Sequence, residues 1–168
     1  MPGPLGHSPA DVVAQLVVDQ GWGIEYADDN TDWPVFANGE PDLPDNCVTV
    51  YDTTGVDQGR MQVTGERAES DGFQVRVRGK TRKDAFAKVR EIAVGFDTDV
   101  YGATVNLDGV AYRVHSVKRN GDPLFLGAAT PGSKRVLFTL NCVVSLRQVD
   151  EIAGDRILQE SGAYLILE

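Results

Sequence analysis

FQVRVRGKTRKDAFAKVREIAVGF, residues 73–96, decides the fold. Its first six residues alternate. Phe73, Val75 and Val77 fall on one face and Gln74, Arg76 and Arg78 on the other, the period of a strand with one side in a core. Gly79 breaks the run. Thr81 is placed to cap a helix, with Asp84 three residues on as an imperfect capping box. In that helix Ala85, Phe86, Val89, Ile92, Ala93 and Phe96 make one apolar stripe, and Lys83, Lys88, Arg90 and Glu91 lie on the opposite side. The stretch predicts an amphipathic helix lying against a sheet. On this reading Phe86 is a core residue, and its truncation to alanine costs about 3–5 kcal/mol.

Working back towards the N-terminus, residues 53–71 are polar and punctuated by glycine, and read as a long binding loop with a brief strand at Arg60–Val63. CVTVY, residues 47–51, reads as a strand that ends in the turn Asp52-Thr53-Thr54-Gly55. Residues 22–46 hold two tryptophans, three prolines and seven acids, and read as a surface connection with a short strand at Trp33–Phe36. Ser8-Pro9-Ala10-Asp11 is a helix start, with a serine cap, proline at the first helical position and an acid in the first turn. Helix 1 is placed at 8–20. Residues 1–7 are expected to be loose at the terminus.

Forward of the opening stretch, Ala103–Leu107 and Val110–Lys118 flank Asp108-Gly109, a two-residue hairpin signal. Asn120-Gly121 repeats the signal before Pro123–Gly127. Lys134–Gln148 is the clearest strand: Val136, Phe138, Leu140, Cys142, Val144 and Leu146 form one wholly apolar face. At ~3.3 Å per residue it is roughly 45 Å long, so it bends or projects towards a partner. The predicted class is α+β: an antiparallel or mixed sheet of about four to six strands with two helices packed on one face. Residues 1–149 read as a single domain and 150–168 as a C-terminal tail that ends in the apolar patch Tyr164–Leu167.

The net charge of −9 argues against general nucleic-acid binding and against docking on anionic membranes. It is unevenly spread: residues 1–60 carry −10, residues 61–149 carry +5 and residues 150–168 carry −4. That polarity can let identical subunits attract head to tail; equally, each lobe can be simply a solvated surface. Cys47 and Cys142 sit in apolar strands without a nearby second cysteine, and read as buried free thiols. The start lacks a signal peptide, and no apolar run approaches the ~18 residues of a membrane span.

The chemistry-bearing residues are sparse. His7 lies near the terminus and His115 on the polar side of a strand, so neither a zinc cluster nor a Ser-His-Asp arrangement is expected. Asp28-Asp29-Asn30-Thr31-Asp32 lacks the central glycine and closing glutamate of a calcium loop. Gly55…Gly59-Arg60 lacks the GK[ST] of a phosphate loop. No catalytic, cofactor-binding or metal residue is assigned, no cofactor is expected, and the chain reads as a non-enzyme.

The order of these segments does carry a resemblance. SPADVVAQLVVDQG, then CVTVYDTTG, a polar loop, GFQVRVRGKTRKDAFAKVREI, GVAYRVHSVKRNGDPLFLG and KRVLFTLNCVVSL together resemble the tail-terminator (tail-completion) proteins of long-tailed bacteriophages. That group overlaps with proteins labelled phage minor capsid proteins. The resemblance spans Pro9–Val149. It implies a structural virion protein, assembled in the host cytoplasm, that forms a homo-oligomeric ring, typically a hexamer. The ring sits in the neck at the head-proximal end of the tail tube, ends tube polymerisation and joins the tail to the head connector. Its partners would be the tail-tube protein and the connector proteins, with no membrane and no sequence-specific nucleic acid, although the ring lumen lies on the DNA path. The alternatives are another neck, head-completion or tail-tube protein, or a small cytoplasmic binding domain. Arg76, Arg78, Lys80, Arg82, Lys134, Arg135 and Arg147 are the expected subunit or partner contacts. In particular, charge reversal at Arg76 and Arg78 is expected to weaken assembly and to spare folding.

Overall fold

The computed structural model describes residues 5–27, 32–60 and 67–149. The first helix, α1, runs Pro9–Asp19. Ser8 accepts the Asp11 amide on its hydroxyl while the Asp11 carboxylate accepts the Ser8 amide, a reciprocal capping box with Pro9 at the first helical position. The second, α2, runs Arg82–Thr98 under a Thr81 cap that accepts the Asp84 amide at 3.1 Å. Both helices sit where the periodicity places them.

Among the described residues there are eight strands: β1 (Ile24–Glu25), β2 (Pro34–Ala37), β3 (Cys47–Arg60), β4 (Arg67–Gly79), β5 (Thr104–Leu107), β6 (Val110–Arg119), β7 (Leu124–Ala128) and β8 (Val136–Val149). They form one sheet in the order β1-β2-β3-β4-β8-β6-β5, with β7 also on β8. β1, β2 and β3 run parallel and the remaining pairs antiparallel. The α+β class with a mixed sheet holds. The expected four to six strands are too few.

The extra strand length comes from segments read as loops. Asp52–Gly55 does not end β3. The strand continues to Arg60, and β4 begins at Arg67, so most of the presumed loop 53–71 is two paired strands. The register shifts between Thr53 and Val56, opposite Gly72 and Ser70. A β-bulge absorbs the polar turn-like residues without breaking the pairing. Of the expected strand Arg60–Val63, only Arg60 lies within the described residues. All but Asp32 of the acidic run 28–32, and the tail 150–168, lie outside them.

The second hairpin signal is also corrected. Asp108 and Gly109 have φ of 49° and 80° and join β5 to β6 in a two-residue turn, as expected. Asn120-Gly121 makes no reversal. The Asn120 amide donates to the Asn141 carbonyl on β8 at 2.8 Å. β6 pairs with residues 142–149 of β8 and β7 with residues 136–139. The two strands are successive stretches along one edge of β8, interrupted at 120–123. Pro123, which has no amide hydrogen, sits in the interruption.

The apolar faces of the strands meet both helices in one core. Val48 and Val50 of β3, Phe73, Val75 and Val77 of β4, and Phe138, Leu140, Cys142 and Val144 of β8 are all buried with Val12, Leu16 and Val17 of α1 and Val89, Ile92 and Phe96 of α2. Phe86 is not among them. It is 47% exposed and touches only the rim of the core, 5.7 Å from the Phe138 ring. The helix stripe is narrower than the sequence pattern, because the first turn of α2 lies at the end of the sheet beside the edge strand β7. Phe86→Ala is therefore expected to cost about 1–2 kcal/mol, the loss of one partly buried aromatic contact, in urea denaturation. A loss above ~3 kcal/mol would mean that the residue is buried in solution.

Candidate assembly surfaces

The sheet has a helix-covered face and a second face, and five of the seven basic residues singled out from sequence lie on the second or at its end. At one end of that face Arg78 is almost fully buried, opposite Cys47 in the strand register. Its guanidinium donates to the Glu40 carboxylate at 3.0 Å and to the carbonyls of Pro41 and Pro44 at 2.6 and 2.8 Å. Arg135 reinforces this, donating to the Asp42 carbonyl at 2.6 Å and pairing with Asp45 at 3.0 Å. Lys80 adds a backbone donation to the Asn46 side chain at 2.9 Å and a longer pairing with Asp45 at 3.9 Å. Residues 38–46, read from sequence as a turn-rich connection, are thus a strap. It lies over Arg78 and beside Cys47, both buried, and Thr49 and Thr139 on the same face are buried too. Two of the expected contact residues, Arg78 and Arg135, hold the chain to itself. Arg78 cannot be reversed without a cost in folding.

Beyond the strap, no helix or strand among the described residues packs on the second face. By register it presents Gln74 and Arg76 on β4, Asn141, Val143, Ser145 and Arg147 on β8, and Arg113, Ser116 and Lys118 on β6. Arg76 is half-buried, donating to Gln74 at 2.9 Å and lying 4.9 Å above the Tyr51 ring. Arg147 stands opposite Arg113, and both are exposed. Directly opposed like charges are unfavourable on a solvated sheet, so a partner that supplies negative charge would relieve them. Among the described residues of β4, β8, β6 and β5, this face carries no carboxylate.

The remaining two expected contacts lie elsewhere. Lys134 is exposed just before β8. Arg82 begins α2, with its guanidinium 4.7 Å from the Phe125 ring centre. That contact marks a surface the sequence reading missed. Leu124, Phe125 and Leu126 of β7 and Phe86 of α2 are between 40% and 58% exposed, and Phe86 and Phe125 both pack on Phe138. β7 was read as an ordinary strand; the signal for it was its unbroken LFL triplet, which no alternating half-buried strand needs.

Of residues 1–7, expected to be loose, 1–4 lie outside the described residues, and Gly6 and His7 are held at the far end of β8. The Gly6 amide donates to Gln148, and His7 bridges Tyr112 at 2.7 Å and Asp108 at 3.3 Å. Together with α1, β2 and β5 they wall an open groove of about 390 Å³. Its floor includes Val18, Val35 and Leu107, and its rim Asp11, Glu25 and Asp108.

Compared with known protein families, residues 19–106 match the model described as bacteriophage tail terminator protein. The chain belongs to that family. The match runs from the end of α1 through β1–β4 and α2 into β5. It takes in the strap, Arg76, Arg78 and the first turn of α2. No curated protein matches the chain. As a tail terminator the chain is a structural component of the phage virion, and its surfaces are those of an assembly part. Among the described residues, no helix is long and apolar enough to cross a membrane.

The two thiols are buried on opposite sides of the sheet, Cys47 beside the strap and Cys142 under α2. Burial pushes Cys47 up to about 11 and Cys142 up to about 12, against an ordinary value of 9.0. An unfolded chain loses these protons above pH 9, whereas the folded one keeps them to pH 11 or beyond. Stability should therefore fall as pH rises from 9, by roughly 1 kcal/mol per thiol at pH 10. The Cys47→Ala/Cys142→Ala variant should lose that slope. Urea midpoints at pH 8 and pH 10 for both proteins measure it, and equal slopes would show the thiols to be hydrated.

Proposed function

We propose that this tail terminator forms a ring of identical subunits, a hexamer in the pattern of the resemblance, at the head-proximal end of the tail tube. There it ends tube polymerisation and offers its other side to the head connector. The observation that carries the reading is the β3–β4 arm. β8 pairs with β4 only from Asp71 onward, whereas β3 pairs with β4 out to Arg60 and Arg67. Past Thr53 and Asp71, among the described residues, no third strand pairs with these two. A two-stranded ribbon alone is marginal in water. It gains stability from a partner surface, and the end of a tube of repeated subunits supplies one. The basic face, with Arg76, Arg113, Lys118 and Arg147, suits the ring's inner wall or a neighbouring subunit.

The test is direct. The purified protein is sized by light scattering, then mixed with tail tubes and imaged by electron microscopy. Rings in solution or caps on one end of the tubes are expected. A variant in which residues 56–69 are replaced by Asn-Gly should keep its fold, because it retains the β3–β4 pairing from Cys47 to Thr53 and the β4–β8 pairing from Asp71 to Gly79, which carry buried core residues, and should lose tube capping. Long cylinders of the protein alone would instead mark it as a tube subunit.

A further inference from the structure

The two surfaces that the basic face does not include have complementary chemistry. One is a knob: Phe86, Leu124 and Phe125, exposed at the first turn of α2 and along β7, with Arg82 and Lys83 beside them. That turn carries one acid, Asp84, against the two bases Arg82 and Lys83, so it stays net positive. Arg90, one turn further along the same side of α2, extends the positive rim. The other is the groove beside α1, apolar at its floor and acidic at its rim, where the Asp108 side chain is 84% exposed.

Their placement matters as much as their chemistry. Phe86 and Phe125 pack at a tilt against Phe138, near the start of β8. The groove's N-terminal wall is tied to Gln148, near the end of β8. Ten residues of extended chain separate these anchors by roughly 33 Å. A subunit therefore carries the knob at one end of its longest strand and the groove at the other. Two knobs facing each other would oppose Arg82 and Lys83 to their own copies, so a two-fold contact through this surface is disfavoured. A knob facing a groove pairs opposite charges and covers apolar side chains on both sides.

We propose that the α2–β7 knob of one subunit docks in the α1–β5 groove of the next copy of the same chain. Such a contact is heterologous: each subunit gives one surface and receives the other, and repetition closes a ring when the rotation fits. The inference rests on the ring reading above and assigns the surfaces that make the ring. It also gives a role to the acidic head and basic middle of the sequence, since the groove rim comes mostly from residues before 60 and the knob from residues after 80.

Two sets of variants test it. The knob variant is Phe86→Glu, with Lys83→Glu/Leu124→Glu as a second form that changes only exposed side chains. The groove variant is Glu25→Lys/Asp108→Asn, which retains a residue suited to the hairpin turn. Circular dichroism checks that each is folded, and sedimentation or light scattering reads association, in solution and on tail tubes. Wild type should assemble, and each variant should associate at least tenfold more weakly. Mixed in equal amounts, knob and groove variants should form dimers and stop there, because one intact knob meets one intact groove and the other two surfaces are spoiled. Full assembly of either folded variant would overturn the proposal, as would a knob variant that fails while the groove variant assembles. If wild type itself neither forms rings nor caps tubes, the ring reading falls first and this inference falls with it.

Discussion

Phe96→Ala should destabilise the fold by about 3–5 kcal/mol, a large share of what holds a domain of this size together. Phe96 is 2% exposed in the last turns of α2. It meets Trp22 and Phe73 edge-on, each with ring centres 5.6 Å apart and planes at 80° and 88°. Each such pair contributes about 0.5–1.5 kcal/mol beyond the area it buries. Truncation removes both pairs and leaves a hole between the helix, β4 and the segment that leads into β1. The hole cannot close cheaply. Trp22 already lies on the helix backbone at Gly95, where a Cβ would overlap its ring. Phe73 is fixed in the middle of the sheet. Urea unfolding followed by tryptophan fluorescence measures the change. A loss under ~1.5 kcal/mol would mean that this corner repacks freely and that Trp22 is not locked to the helix. The same geometry makes Gly95 a position where alanine, an ordinarily better helix former, should destabilise.

What made Phe96 legible in the sequence is local. The spacing of Ala85, Val89, Ile92, Ala93 and Phe96 fixes a helix face, and the alternation of Phe73, Val75 and Val77 fixes the strand face it covers. Thr81 and Ser8 announce their helices because a cap is satisfied by its own next few residues. The readings that failed depended on partners distant in sequence. Phe86 sits one residue from Ala85 on the edge of the stripe, and only the end of the sheet decides that it is half in water. Asp52-Thr53-Thr54-Gly55 has the composition of a turn, yet β4 supplies a pairing edge that carries β3 through it. Asn120-Gly121 permits a hairpin, but a strand as long as β8 had edge to spare for both β6 and β7. The assembly surfaces were legible as residue types only. The basic residues were found, and which of them face outward was not, because the strap that covers Arg78 comes from residues 38–46, a segment with no periodic signal.

Arg78 shows the consequence, and Arg78→Glu is expected to cost about 3–5 kcal/mol, whereas Arg76→Glu should cost under ~1 kcal/mol. The two arginines alternate with valines on one strand and share a face, as the sequence pattern requires. Their surroundings differ. Arg76 keeps access to water and touches Gln74 and Tyr51. Arg78 is 5% exposed and gives three hydrogen bonds to the strap, one of them to a carboxylate. A glutamate there would set its own charge against Glu40 and against the Pro41 and Pro44 carbonyls, with little water to screen any of them. Removing one partner of a buried pair leaves the other uncompensated, and that is where the cost arises. The strap should then lift from the sheet, with a readout beyond stability. Cys47, fully buried beside it, should react with a thiol reagent in the folded Arg78→Glu protein at a rate well above wild type, while Cys142, under α2 on the other face, stays protected. Mass spectrometry of the labelled protein distinguishes the two cysteines. Arg78→Met, of similar length but uncharged, should fall between wild type and glutamate, because Glu40 keeps some access to water. If Arg78→Glu is as stable as Arg76→Glu and Cys47 remains protected, the strap is not held by this arginine. Arg78 would then return to the surface role that the sequence alone suggests.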